Sequence, residues 1–142
     1  MNKKVINYTL DEAKKVSNEI ATMLIKHKIL LLYGDLGAGK TTLTKSIVES
    51  LGGDPKNVTS PTFNLVHIYD TKKFKIWHFD LYRIKSEKEL FNIGIEDAMT
   101  DGVLIIEWGE IAENIFSQNY LKAYIEFTDD ESKRRLLLSL FL

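Results

Sequence analysis

The stretch Gly34-Asp35-Leu36-Gly37-Ala38-Gly39-Lys40-Thr41 constrains this chain more than any other feature, because it fits G-x-x-x-x-G-K-[ST] in full. The spacing suits a phosphate chain. Phosphate oxygens need several N–H donors pointing inward along a tight arc, and glycines permit the positive-φ, close-approach geometry of such a nest. A helix that follows adds its first N–H groups and the positive end of its dipole. All eight residues are therefore candidate nucleotide contacts. Lys40 is expected on the β/γ-phosphates, the Thr41 hydroxyl on a magnesium ion and Thr42 on the α-phosphate. The flanks agree. Residues 29–33 are an unbroken apolar run, which predicts a strand buried on both faces. Residues 40–51 read as a helix with Leu43, Ile47 and Leu51 on one stripe, stopped by Gly52-Gly53.

The rest of the chain reads as one α/β domain over residues 1–142. Residues 5–8 predict a short strand. Thr9-Leu10-Asp11-Glu12 fits a capping box ahead of a helix at about 10–26, with Ala13, Val16, Ile20 and Leu24 at helical spacing. Residues 64–70 and 74–80 predict an antiparallel hairpin, and 120–128 with 134–142 a closing one. Ser86 with Glu89 predicts a second helix start, ended by Gly94, and 103–106 another buried strand. Together these predict a P-loop NTPase-like, three-layer fold with a mixed, mostly parallel central sheet of about seven strands.

Composition narrows the function. With 19 basic and 20 acidic residues the net charge is −1, which argues against strong stand-alone binding of nucleic acid. The chain contains no cysteine, which excludes disulfides, thiolate-zinc sites and cysteine nucleophiles. No apolar run approaches a bilayer span, and Met1-Asn2-Lys3-Lys4 leads into no apolar segment, so a cytoplasmic protein without a membrane association is expected.

A phosphate loop needs a further carboxylate near the magnesium, at the carboxyl end of a neighbouring buried strand. Glu107 follows the most apolar strand and is favoured on the metal, directly or through water; Asp80 ends the hairpin strand and is assigned to bind a metal-bound water or to orient the attacking water. The reverse assignment stays open. His78 is two residues from Asp80 and so shares its sheet face, where it supports the site or simply fills the core. Trp108 directly follows Glu107 and is expected to wall the site. Ser60, Pro61 and Thr62 form a candidate γ-phosphate-sensing loop or a plain turn. Lys133-Arg134-Arg135 reads most simply as a solvated hairpin end, with an arginine on the nucleotide as the other reading. No N-K-x-D or T-K-x-D segment occurs, which favours ATP over GTP.

In this order and at this length, several segments resemble one family. They are the phosphate loop through Thr42, then Val58-Thr59-Ser60-Pro61-Thr62-Phe63, His78-Phe79-Asp80-Leu81-Tyr82-Arg83, Ile93-Gly94-Ile95-Glu96-Asp97 and Ile106-Glu107-Trp108. The chain is similar to the small bacterial ATPases of tRNA threonylcarbamoyladenosine biosynthesis, the TsaE or YjeE family. The resemblance implies a magnesium-dependent ATPase, weakly active alone. It implies two cytoplasmic partner subunits: the threonylcarbamoyl-transferase catalytic subunit and its paralogue. The transferase turns over with ATP, and tRNA is met only through the complex. It also implies that Thr41 and Glu107 serve magnesium, Lys40 the phosphates and Asp80 hydrolysis, with Ser60 and Thr62 sensing the nucleotide. Thr9 and Arg134 are the nearest matches to the residues around the base. Two other functions share the phosphate loop. A small-molecule or nucleoside kinase would consume ATP only with an added acceptor. An ATP-dependent assembly module would hydrolyse little and assemble equally well on a non-hydrolysable analogue.

Overall fold

The structure, a computed structural model, describes residues 2–35, 37–59 and 65–142. Leu36 of the phosphate loop and the candidate sensing residues Ser60, Pro61 and Thr62 lie outside the described residues.

The apolar run after Lys28 forms β2 (Ile29–Gly34), and its side chains alternate between two cores. Leu30 and Leu32 enter one core, Leu31 and Tyr33 the other. A strand can be apolar at every position only if both faces are covered, and they are. One face carries α1 (Ala13–His27), which buries Val16, Ile20 and Leu24, and α2 (Lys40–Ser50), which buries Leu43, Ile47 and Val48. The α2 helix ends beside Gly52, whose φ of +96° lets the chain reverse. The opposite face carries α3 (Glu87–Asn92) and α4 (Ile95–Asp101), with Leu90, Ile95 and Ala98 fully buried. Ser86 caps α3 by accepting the Glu89 N–H. Gly94 ends that helix as expected, and it also caps α4, which the sequence pattern does not announce.

The remaining strands are β1 (Asn2–Thr9), β3 (Val66–Asp70), β4 (Lys75–Asp80), β5 (Gly102–Glu107), β6 (Tyr120–Phe127) and β7 (Lys133–Phe141). With β2 they make one seven-stranded sheet in the order β1-β7-β6-β2-β5-β4-β3. Five of the seven run in one direction; β3 and β7, the hairpin partners of β4 and β6, run against them. The three-layer, mixed, mostly parallel fold is thus as the sequence predicts. Among the described residues no helix is long and apolar enough to cross a membrane.

The topology has a direct consequence for the site. The chain leaves the central strand β2 for α2 between two parallel neighbours, β5 and β6. In such sheets ligands gather beyond the carboxyl ends of the strands, where connections diverge. Parallel pairing of β2, β5 and β4 sets Gly34, Glu107 and Asp80 along that one edge.

Candidate nucleotide and metal site

The phosphate loop is built where glycine is required. Gly37 has φ +80° and Gly39 φ +108°, and Gly39 caps α2, so the chain enters the helix through left-handed backbone. The Ala38 N–H donates to the Asp35 carbonyl at 3.0 Å, closing the turn. Lys40 is 9% exposed; its ammonium donates to the Gly34 carbonyl at 2.7 Å and lies 4.4 Å from the centre of the Trp108 ring. Thr41 and Thr42 stand exposed in the first turn of α2, available to ligand oxygens and a metal.

The two acids are register partners. Asp80 of β4 lies opposite Glu107 of β5, and both are buried. Ile76 on β4 and Val103 and Ile105 on β5 pack into the core beneath α1 and α2. By the alternation of a strand, Asp80, His78 and Glu107 lie on that same face, the face of the phosphate-loop helix. Glu107 is held firmly: its Oε2 accepts a hydrogen bond from His78 Nε2 at 2.6 Å, and His78 is fully buried. His78 Nδ1 lies 2.9 Å from the Tyr69 hydroxyl. Burial pushes the Tyr69 phenol up to about 12, an effect opposed by a backbone hydrogen bond at Thr59 and reinforced by Glu107. Asp80 is fixed differently, its Oδ1 accepting the Tyr82 N–H at 3.0 Å in a tight local turn. Trp108 leaves β5 with φ +56° and meets Tyr82 edge-on at 4.9 Å.

Arg134 departs from the simpler reading. It does not belong to a solvated hairpin end: it is buried, and its Nε donates to the Ala38 carbonyl at 3.0 Å. Its Nη1 donates to the carbonyls of Glu131 and Lys133 at 2.8 and 2.9 Å, and the guanidinium lies 4.8 Å from the Phe127 ring centre. Lys133 and Arg135 are exposed. The pairing β1–β7 places Arg134 opposite Tyr8, behind the phosphate loop. There a cleft of about 210 Å³ is lined by Tyr8, Leu10, Ala13, Gly37, Thr42 and Arg134. Tyr8 and Leu10, rather than Thr9 between them, line it. The Glu12 carboxylate accepts both the N–H and the hydroxyl of Thr9, at 2.9 and 3.1 Å, which holds the Glu12 carboxyl below its usual range.

The donor set fits magnesium. The Thr41 hydroxyl and the Glu107 and Asp80 carboxylates are hard oxygen donors, and a magnesium ion is commonly held by one or two carboxylates together with substrate phosphates. Among the described residues no group of three or more His, Cys, Asp or Glu gathers into a metal cage; water and the oxygens of a phosphate substrate would complete the shell of a magnesium ion here. Buried carboxylates at the same edge of the sheet as the phosphate-loop lysine and a helix N-terminus give that edge mixed charge, suited to a polyanion bridged by a cation.

The sequence matches the family described as "Threonylcarbamoyl adenosine biosynthesis protein TsaE" over residues 8–136. It is 40% identical over 124 residues to the tRNA threonylcarbamoyladenosine biosynthesis protein TsaE of Rickettsia felis, a match covering 87% of this chain and 72% of that one. It is 33% identical over 124 residues to the Bacillus subtilis protein of the same name, covering 87% and 77%. The crystal structure of Bacillus subtilis YdiB superposes with a TM-score of 0.72 at 25% identity, covering 100% of this chain and 89% of that one.

Proposed function

Because the chain belongs to the TsaE family of threonylcarbamoyl adenosine biosynthesis proteins, we propose that it is a magnesium-dependent ATPase serving tRNA threonylcarbamoyladenosine modification. The observation that carries this reading is the alignment of Gly34, Glu107 and Asp80 on neighbouring parallel strands that end side by side, with the Lys40 ammonium hydrogen-bonded to Gly34. A site that only gripped phosphate would need the loop and the helix N-terminus. Two buried acids held at the same edge suit a cation and a water molecule as well.

In this reading the backbone N–H groups of residues 34–39 and the Lys40 ammonium hold the β- and γ-phosphates. Lys40 exchanges the Gly34 carbonyl for phosphate oxygens. Thr41 and Glu107 hold magnesium, which when bound supplies positive charge along the phosphate chain. Asp80 orients water for attack on the γ-phosphorus; the bond from that phosphorus to the β-bridging oxygen breaks, leaving ADP and inorganic phosphate. The cleft beside Tyr8 and Arg134 takes the base. The absence of N-K-x-D favours adenine over guanine. The partners are the threonylcarbamoyl-transferase catalytic subunit and its paralogue, in the cytoplasm, and hydrolysis drives their turnover.

Reconstitution tests the proposal. The chain, the two partner subunits, tRNA and a threonylcarbamoyl donor are combined with ATP or a non-hydrolysable analogue, and modified tRNA and released phosphate are counted. Repeated turnover is expected only with this chain, magnesium and hydrolysable ATP. Equal turnover with the analogue would replace the ATPase by an assembly module.

A further inference from the structure

The hydrogen-bond chain behind Glu107 has a direction. A carboxylate on a metal carries no proton and only accepts hydrogen bonds. The 2.6 Å contact from His78 to Glu107 therefore needs a proton on Nε2. A neutral imidazole has one N–H, so Nδ1 is then an acceptor, and the Tyr69 hydroxyl 2.9 Å away donates to it. Burial keeps that hydroxyl protonated across the working pH range. The Thr59 carbonyl, at 3.5 Å, is the weaker competitor for the same proton. Tyr69 reaches His78 because β3 pairs antiparallel with β4, which places Tyr69, His67 and His78 on one face. All three members of the chain are buried, so water does not readily substitute for a missing link.

We infer that Tyr69 and His78 are positioning residues for Glu107, a one-way relay (Tyr69 O–H to His78 Nδ1, His78 Nε2–H to Glu107) that fixes the tautomer of the histidine and the orientation of the carboxylate. Without the Tyr69 proton, His78 is free to carry its own proton on Nδ1, and its Nε2 lone pair then faces the carboxylate oxygen. The inference rests on Glu107 being a magnesium ligand, as proposed above.

Tyr69→Phe deletes the hydroxyl alone and is the decisive variant. Nucleotide binding is read by fluorescence titration, with magnesium varied and with the metal chelated. The expected result is a loss of about tenfold in apparent magnesium affinity, the scale typical of residues that orient metal ligands, with metal-free nucleotide affinity unchanged. His78→Gln, which keeps an amide N–H near the place of Nε2, should retain more magnesium response than His78→Leu. In a Glu107→Gln background the effect of Tyr69→Phe should vanish. The relay is overturned if Tyr69→Phe weakens binding equally with and without magnesium, or if its effect persists undiminished in Glu107→Gln. If Glu107→Gln by itself leaves magnesium dependence intact, the metal-ligand assignment fails first, and the relay with it.

Discussion

The ammonium of Lys40 lies 4.4 Å from the centre of the Trp108 ring while it donates to the Gly34 carbonyl. A charge over an indole face alters the ring's surroundings, and a lysine that moves to phosphate changes that contact. Trp108 fluorescence should therefore respond to ATP. Trp77 lies mid-strand on β4, away from the strand's carboxyl end, tied to Asp101 at the end of α4 by a 3.0 Å hydrogen bond, and should contribute little. Trp108→Phe should abolish most of the signal and Trp77→Phe should not. Survival of the full signal in Trp108→Phe would separate the ring from the nucleotide.

Lys40→Ala should remove most triphosphate affinity. The lost contact is a charge-assisted hydrogen bond in a largely buried setting, worth about 1.5–3 kcal/mol, which is roughly ten- to more than a hundredfold in affinity. Calorimetric titration with ATP measures it. Unchanged affinity would refute the phosphate-loop assignment.

Arg134 and Arg135 are neighbours in sequence with different expected behaviour. Arg134→Ala leaves the Ala38 carbonyl without its 3.0 Å partner and slackens the phosphate loop. Loss of about 1–3 kcal/mol of stability and weaker ATP binding should follow together. Arg135 makes a 3.5 Å surface pair with Glu126. Such pairs contribute about 0–1 kcal/mol, so Arg135→Ala should leave both properties nearly unchanged. Thermal unfolding with and without ATP compares the two.

Those arginines also show where sequence reading succeeds and where it stops. Local signals specify β2, the phosphate loop and α2 because an apolar run, glycine spacing and helical periodicity all act over a few residues. The face shared by His78 and Asp80 is equally local, following from strand alternation. Arg134 is different. Its burial depends on β7 pairing with β1, which sets it opposite Tyr8, and on the phosphate loop lying behind both. No short window of sequence contains that relation. Tyr69 is similar: its place beside His78 depends on the hairpin register, which pairs Tyr69 with Ile76 and His67 with His78. A shift of one residue would turn it to the other face. The α4 helix is hidden for another reason. Gly94 looks like an end, and its left-handed backbone also starts the next helix.

The last prediction concerns the division of labour between the two acids. Asp80 and Glu107 are register partners, buried to the same degree, so position in the sheet does not separate them. Their partners do. Glu107 is anchored through His78 and Tyr69, an arrangement that holds a carboxylate in one orientation, as a metal ligand requires. Asp80 accepts the Tyr82 N–H, from the turn after β4 in which Tyr82, Arg83 and Lys85 are exposed. Glu107→Gln should therefore weaken magnesium-dependent nucleotide binding. Asp80→Asn should leave binding nearly intact and lower turnover, because a water-orienting group contributes chiefly in the transition state. If Asp80 also takes the proton, the fall in kcat would be about 10²–10⁴-fold with little change in KM. Turnover of the isolated chain is expected to be slow, so phosphate release should be measured in the assembled complex alongside tRNA modification. Should Asp80→Asn abolish magnesium-ATP binding while Glu107→Gln spares it, the two roles are exchanged, and the Tyr69–His78 relay falls with the metal-ligand assignment it rests on.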